Sequence, residues 1–573
     1  MKYIVSYQQL NQHLIDIEFI ISNNTKDYVD LQLPAWRPGR YELGNFAKNI
    51  QKWAAFDDKG NALSFNKITK DCWRVKADGV STLHIKYNYY AYQLDAGACW
   101  LDDKQLYVNG IHCFMYVVDR INEACEVELK VPDDYKIACG TCKTGKTLHS
   151  LNFHELVDSP FIASANIQHN SFDMAGTTFH IWFQGECKPD WERIIKDTEA
   201  YTKEQIDMMG SFPAKEYHYL IQVTPYKHYH GVEHSTSTVI AIGPGYNLMK
   251  PEVYIDLIGV NSHELFHTWN IKAIRPVELQ PYNYVKENYT ALGYVAEGIT
   301  TYYGDLFLIR SNVYTLPQYF EEVNTRLQKH FDNYGRFNMS VAASSFDTWL
   351  DGYVPGIPNR KTSIYDEGCL CAMMVDLIIR KESNNTKSLD DVMRALYNDF
   401  AKKGIGYSEH DYKTIVENIA GVSFNEFFAN YYYGTNDYTN ALQETLAFAG
   451  CELVKKPAKT YYENKFGFKV IIENGLTKVS AIAPQSIVDA AGLSKDDEII
   501  TINNFKVENN LNDWCNYFAG STITLTVLSQ KTLKIIVLNA NKSEYYQQYS
   551  IALKSGINDK EKAFFKAWTK QDV

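Results

Sequence analysis

His263, Glu264 and His267 stand in the spacing H-E-x-x-H. Residues i and i+4 share one helical face, so two imidazoles there can converge on a single zinc ion. Glu264, beside the first imidazole, is then placed to take the proton of a water whose pKa the metal lowers. A catalytic zinc needs a third protein ligand and an open fourth position. Glu297, 30 residues beyond His267 (297 minus 267), offers one. It sits in the apolar stretch 291–303, where a buried carboxylate needs a partner. The competing reading of each feature is bland: a chance match on an amphipathic helix, and a solvated glutamate before Gly298. The two features together favour a three-ligand site.

The motif must ride on a helix. Leu257, Val260 and Phe266 supply apolar contacts for one, and Pro276 closes the run. Upstream, residues 1 to about 170 alternate apolar and polar side chains in runs such as 14–21 and 83–90, the period of half-buried strands. Turn clusters at 22–25, 57–60 and 132–134 separate them. We expect a β-sandwich-like domain over 1–170. Between 171 and 245 the pattern is mixed, with a strand over 217–224. Helical spacing then dominates, as over 316–330 and 390–402, with Ser388 and Asp390 at the expected N-cap of the latter. The fold class expected is therefore multidomain α+β, with a mixed, then helical, catalytic domain over 171–453. Lys455-Lys456-Pro457 reads as a linker. Short strands with one helical segment follow to about 540, and 541–573 reads as a polar, helix-prone tail.

The segment His263–Lys272 with Ile274-Arg275-Pro276 resembles the glycyl aminopeptidase family of zinc peptidases. Three further stretches resemble the same family in the same order. They are Leu33-Pro34-Ala35-Trp36-Arg37-Pro38-Gly39-Arg40-Tyr41, Gly231-Val232-Glu233-His234, and Leu389–Arg394. The resemblance implies a β domain, a thermolysin-like catalytic domain and a C-terminal PDZ domain. It also implies removal of N-terminal residues, with Gly and Ala preferred. Carried over by position, His263, His267 and Glu297 would hold one Zn2+ and Glu264 would be the general base. Glu233, with Gly231 and Val232, would bind the substrate's α-ammonium. Tyr365, in Tyr365-Asp366-Glu367-Gly368, would donate to the developing oxyanion, as a tyrosine does in the larger aminopeptidase N group.

This chain departs from the family pattern twice. His230 stands where the family has a first glycine, and an imidazole beside the amine-binding strand is expected to narrow the pocket or alter its preference. Glu367 stands where the family has lysine. Neither change removes a metal ligand or the base.

The region 460–540 resembles a PDZ domain. Phe466-Gly467-Phe468 resembles the carboxylate-binding loop, and Asp497–Asn503 the domain's usual G-D-x-I-x-x-I-N-G strand. It is expected either to bind a peptide C-terminus or to support the catalytic unit.

Other signals are weaker. Gly140–Thr147 matches G-x-x-x-x-G-K-T, yet the residues that follow alternate like a strand, whereas a P-loop must open a helix. Cys139 and Cys142 form a lone C-x-x-C without a second pair. His228 and His230 flank Tyr229, and pocket lining suits them better than a metal site of their own. The net charge of −11 comes with no basic block, which argues against a nucleic-acid partner. No apolar run approaches the roughly 20 residues of a membrane helix. With 11 scattered cysteines and no leader-like start, the expected location is the cytoplasm. The leading expectation is a zinc aminopeptidase acting on peptides with a free N-terminus. The alternatives are an endopeptidase guided by the PDZ-like region, and a non-catalytic peptide-binding scaffold.

Overall fold

A computed structural model describes all 573 residues. The chain divides into two compact units. The first comprises 1–315, 346–354 and 387–421; the second comprises 316–345, 355–386 and 422–573.

The first unit opens with β structure. A seven-stranded sheet has Lys2–Ser6, Leu14–Ile21 and Leu83–Tyr90 at its centre. A four-stranded sheet is built on Tyr28–Gln32 and Cys72–Lys76, and another on Lys136–Cys139 and Phe161–Ser164. Alternation in Leu14–Ile21 buries Ile15, Ile17, Phe19 and Ile21 and leaves their neighbours partly exposed. Burying four such side chains stabilises by about 6–12 kcal/mol before chain entropy is charged against it. Gly140–Thr147 lies in the hairpin Cys142–Thr144 and Thr147–Ser150, and the nearest following helix begins only at Phe153. Cys139 is buried and Cys142 exposed, both as free thiols.

A five-stranded sheet follows, in the order Gln168–Met174, Thr177–Gln184, Glu216–Val223, Ser237–Gly243, His228–Glu233. The last strand pairs on one side only and forms the sheet edge. The motif helix, Pro251–His267, starts on a proline at its first turn, where a missing N–H costs nothing. It stops at His267, nine residues short of Pro276 (276 minus 267). The chain then reverses through Ile271, a buried β-branched residue held at φ +132°, a strained conformation next to the site. The helix Thr300–Arg310 packs on the motif helix at Gly304, where a Cβ would lie 3.2 Å from His263 Cα. Ser388 caps the helix Leu389–Asp399 in a reciprocal box with Asp391; Asp390 is already inside the first turn.

The second unit packs helices Leu316–Asp332, Asp366–Glu382 and Thr439–Phe448. Lys455 and Lys456 end the strand Cys451–Lys456, which pairs with Gln548–Leu553. The final helix, Asp559–Thr569, buries Phe564, Phe565 and Trp568, so 541–573 is an ordered strand and helix. Between them lies a sheet built on Phe468–Glu473, Leu476–Ile482, Glu498–Ile502, Ile523–Ser529 and Thr532–Leu538. The stretch 460–540 carries three short helices, Tyr461–Phe466, Ile487–Ala490 and Leu511–Tyr517, where the sequence suggests one. No helix is long and apolar enough to cross a membrane.

Candidate metal centre

The motif helix presents His263 and His267 with their Nε2 atoms 3.0 Å apart. Glu297 Oε2 lies 3.3 Å from His267 Nε2 and 3.9 Å from His263 Nε2. Ligands of one tetrahedral zinc, bonded at about 2.0–2.1 Å, sit roughly 3.3 Å from one another. The three separations bracket that value, so the donor set fits a zinc ion with shifts of a few tenths of an ångström. Glu297 comes from Tyr294–Ile299, a single π-helical turn ahead of the helix Thr300–Arg310. Such turns re-aim side chains and cluster at functional sites.

One residue steadies both ligands. The backbone carbonyl of Asn270 contacts His267 Nδ1 at 2.7 Å, which puts the proton on Nδ1 and frees Nε2. The side-chain amide of Asn270 donates to Val295 O at 2.8 Å and Thr300 Oγ1 at 3.0 Å, holding the turn that carries Glu297.

Glu264 is buried, and its Oε2 has no protein partner. Burial drives its carboxyl well above the usual range, with Glu233 and Glu297 adding to the effect and His267 opposing it. Burial alone would depress His267, but the field of Glu297, Glu233 and Glu264 outweighs it and pushes the imidazole up to about 10. A pocket that holds three carboxylates this way calls for a cation.

Glu233 closes the site. Its carboxylate lies within 4.8 Å of ligand atoms of both Glu264 and His267. It projects from the edge strand on the side that faces the motif helix, as does Gly231, where a Cβ would lie 2.2 Å from Glu264 Oε1. Val232 points the other way, buried against Ala96, Tyr107 and Val239, so only its backbone can meet a substrate. His230 shares that opposite face and pairs with Asp95, which His228 also approaches at 3.4 Å. Burial works against ionisation of Asp95, yet His230 outweighs it and holds the carboxyl well below the usual range. The imidazole thus does not narrow the face that carries Glu233, contrary to the expectation from sequence.

The residues 33–41 reach the site from the β-rich region. Trp36 is fully buried and donates from Nε1 to Asn283 O at 2.8 Å. Arg37-Pro38-Gly39-Arg40 then turns tightly, with Gly39 at φ +80° and Arg40 N–H donating to Arg37 O at 3.2 Å. Proline second and glycine third at positive φ are what a type II turn needs. The turn lays Gly39 on Glu233. Tyr353, whose ring lies under the Arg40 guanidinium, accepts from Tyr41 N–H at 3.2 Å. Burial, reinforced by Glu297, keeps its phenol protonated.

Beside Glu233 opens a cavity of about 450 Å³ lined by Arg37, Asp158, Lys272, Arg275 and Tyr282. Lys272 Nζ pairs with Asp158 Oδ1 at 2.6 Å. Burial opposes ionisation of Asp158, but Lys272 and His234 hold it as a carboxylate.

Comparison with known proteins now bears on this geometry. The Peptidase M61 N-terminal domain family matches residues 2–165, and the M61 glycyl aminopeptidase family matches 256–371, a span that includes His263, Glu264, His267 and Glu297. Both matched regions are M61 peptidase domains. The chain is thus a metallopeptidase, a hydrolase of peptide bonds. Its fold is that of a crystal structure described as an aminopeptidase N family protein from Idiomarina loihiensis. That similarity has a TM-score of 0.92 at 24% identity and covers 99% of both chains. An M1 zinc metallopeptidase from Deinococcus radiodurans, bound to Tyr-Ser-Ala, is a remote likeness. Its TM-score is 0.47 at 12% identity, over 76% of this chain and 94% of that one. No curated protein matches the sequence.

The second departure from the family pattern finds its partner within the second unit. Glu367 is buried, and its Oε1 lies 2.6 Å from Nδ1 of the buried His330 on the helix Leu316–Asp332. Burial would raise the Glu367 carboxyl; His330 outweighs it and keeps the carboxylate charged. Tyr365, also in the second unit, immediately precedes the helix Asp366–Glu382. Asn270, Gly39, Tyr353 and Asp95 are the site residues that the sequence does not single out. Asn270 follows the motif directly, and the Pro-Gly pair at 38–39 is a turn signal.

Proposed function

We propose that this metallopeptidase is a zinc-dependent aminopeptidase that releases single N-terminal residues. The observation that carries the reading is the position of Glu233, a fixed buried anion within 4.8 Å of ligand atoms of Glu264 and His267. Only a substrate with a free N-terminus brings a cation to that point, and an ammonium there offsets the cost of burying the carboxylate.

His263, His267 and Glu297 would hold the ion, which when bound would supply Lewis acidity toward the scissile carbonyl and the attacking water. Glu233 fixes the α-ammonium and so sets which bond is cut. The backbone of Gly231 and Val232, on the unpaired sheet edge, is suited to align the peptide chain. Glu264 takes the proton of the attacking water and hands it to the leaving amine, a shuttle that suits a carboxyl whose pKa burial raises. Tyr365 is assigned the oxyanion donor by its place in the family's tyrosine segment. Preference for Gly and Ala follows the family.

The 460–540 region is read as a PDZ-like domain. Gly467, in its carboxylate loop, sits at φ +83° with Ser486 Cβ and Tyr545 Cγ 2.5 and 3.0 Å from the place of a Cβ. A loop covered in this way favours a supporting role over capture of a peptide C-terminus.

A panel of aminoacyl chromogenic amides, each free and N-acetylated, with and without a chelator, tests the assignment. Cleavage of the free amides alone, abolished by chelation and restored by zinc, is expected. Equal cleavage of the acetylated set would make the protein an endopeptidase.

A further inference from the structure

We propose a second transition-metal site in the first unit, formed by His180, His218 and Glu216 with His169 beside them. The sheet register builds it. His180 and His218 are direct partners across the parallel strands Thr177–Gln184 and Glu216–Val223. Glu216 precedes His218 by two residues and therefore shares its face. The two imidazole rings stack with centroids 4.5 Å apart, and His218 Nε2 lies 3.6 Å from Glu216 Oε2. One nitrogen from each of these histidines and one oxygen of Glu216 lie within 4.8 Å of one another.

His169 extends the cluster from the neighbouring strand, with Nε2 3.0 Å from His180 Nδ1. The ring nitrogens of His263 and His267 are separated by the same 3.0 Å. Two imidazole nitrogens at that distance must share either one proton or one cation. Imidazoles with a single carboxylate select a borderline ion such as zinc, nickel or copper; magnesium and calcium prefer oxygen ligands.

Trp182 makes the site observable. It donates from Nε1 to His218 Nδ1 at 3.2 Å and stacks on His169 with ring centroids 3.8 Å apart. The neutral His218 proton therefore resides on Nε2. Coordination through Nε2 moves that proton to Nδ1 and ends the Trp182 hydrogen bond, so occupancy changes the environment of one tryptophan. Lys143 Nζ lies 5.9 Å from the Trp182 ring but is itself engaged with Ile137 O at 2.5 Å.

The test equilibrates the full-length chain with Zn2+ alone, desalts it and counts zinc per chain in wild type, H180A/H218A and H263A. H180A/H218A is expected to lose one equivalent of zinc with peptidase kcat/KM unchanged. H263A is expected to lose a different equivalent together with activity. The count stands independently of the aminopeptidase reading, since it needs no turnover. Zinc content identical in wild type and H180A/H218A overturns the proposal. Cu2+ titration of tryptophan fluorescence supplies the second measurement. Saturable quenching in wild type that is absent in both W182F and H169Q/E216Q supports the site, and quenching that persists in H169Q/E216Q overturns it.

Discussion

A Cβ on Gly39 would lie 2.5 Å from Glu233 Oε2, so the turn at 37–40 packs on that carboxylate only as glycine. If Glu233 binds the substrate's ammonium as proposed, that recognition depends on a turn from the β-rich region. Gly39→Ala is expected to raise KM for free aminoacyl amides by about tenfold or more. It should also cost about 1–3 kcal/mol of stability, because φ +80° is strained for a side chain. Steady-state kinetics and urea unfolding of the variant measure both. Unchanged KM would separate Gly39 from substrate binding.

Glu264→Gln keeps the shape of the site and removes the proton carrier. Turnover should fall by roughly 10²–10⁴-fold with zinc content unchanged. Full activity in the variant would exclude Glu264 as the base.

Asn270→Ala removes the side-chain clamp on the turn bearing Glu297 and leaves the backbone carbonyl for His267. Zinc affinity should fall about 10–100-fold, as for other lost supports of metal ligands. Competition against a chromogenic chelator reads this directly. Asn270→Asp cannot donate to Val295 O and should not rescue.

Metal removal should change how stability responds to pH. In the chelated protein His267 titrates near 10, above its unfolded value of about 6.5. A raised folded pKa contributes stability that is complete below about pH 6.5 and is lost as pH rises through about 10. The raised carboxyl of Glu264 acts in the same direction from lower pH. Thermal melts of chelated protein should therefore decline across this range. Zinc-loaded protein should melt higher and respond less steeply.

Glu367 gives the opposite sign. Its folded pKa is depressed, so its contribution is present at neutral pH and lost as pH falls below the unfolded value of about 4.3 toward the folded one. Removing one partner of a buried pair strands the other, and Glu367→Ala should cost about 3–5 kcal/mol. Denaturant unfolding at pH 7 checks the loss. His330→Leu with Glu367→Met should recover most of it.

Local features of this chain are legible in its sequence, and contacts between distant segments are not. The H-E-x-x-H spacing is local, and alternation over 14–21 reports burial residue by residue. Glu297 is found because a charge in an apolar stretch needs a reason. Gly39 meets Glu233 across nearly two hundred positions, and Glu367 meets His330 from another helix, so neither partner is visible beforehand. The pairing of Gln548–Leu553 with Cys451–Lys456 is equally distant in sequence, so 541–573 reads only as a polar, helix-prone tail until that partner is known. The orientation of His230 needs only strand parity, once Glu233 is assigned to a face.

That parity has an evolutionary consequence. On the edge strand His228, His230 and Val232 turn toward Asp95 and the core behind the sheet, whereas Gly231 and Glu233 turn toward Glu264 and Gly39. Substitution should be tolerated better at 230 than at 231 or 233, as a saturation scan of the strand would read. His228 and His230 meet the one carboxylate of Asp95, Val232 is held by the core behind the sheet, and Gly231 and Glu233 are pinned by Glu264 and Gly39. A change of residue at 230 is then spared the constraint that the opposite face, with Gly231 and Glu233, imposes.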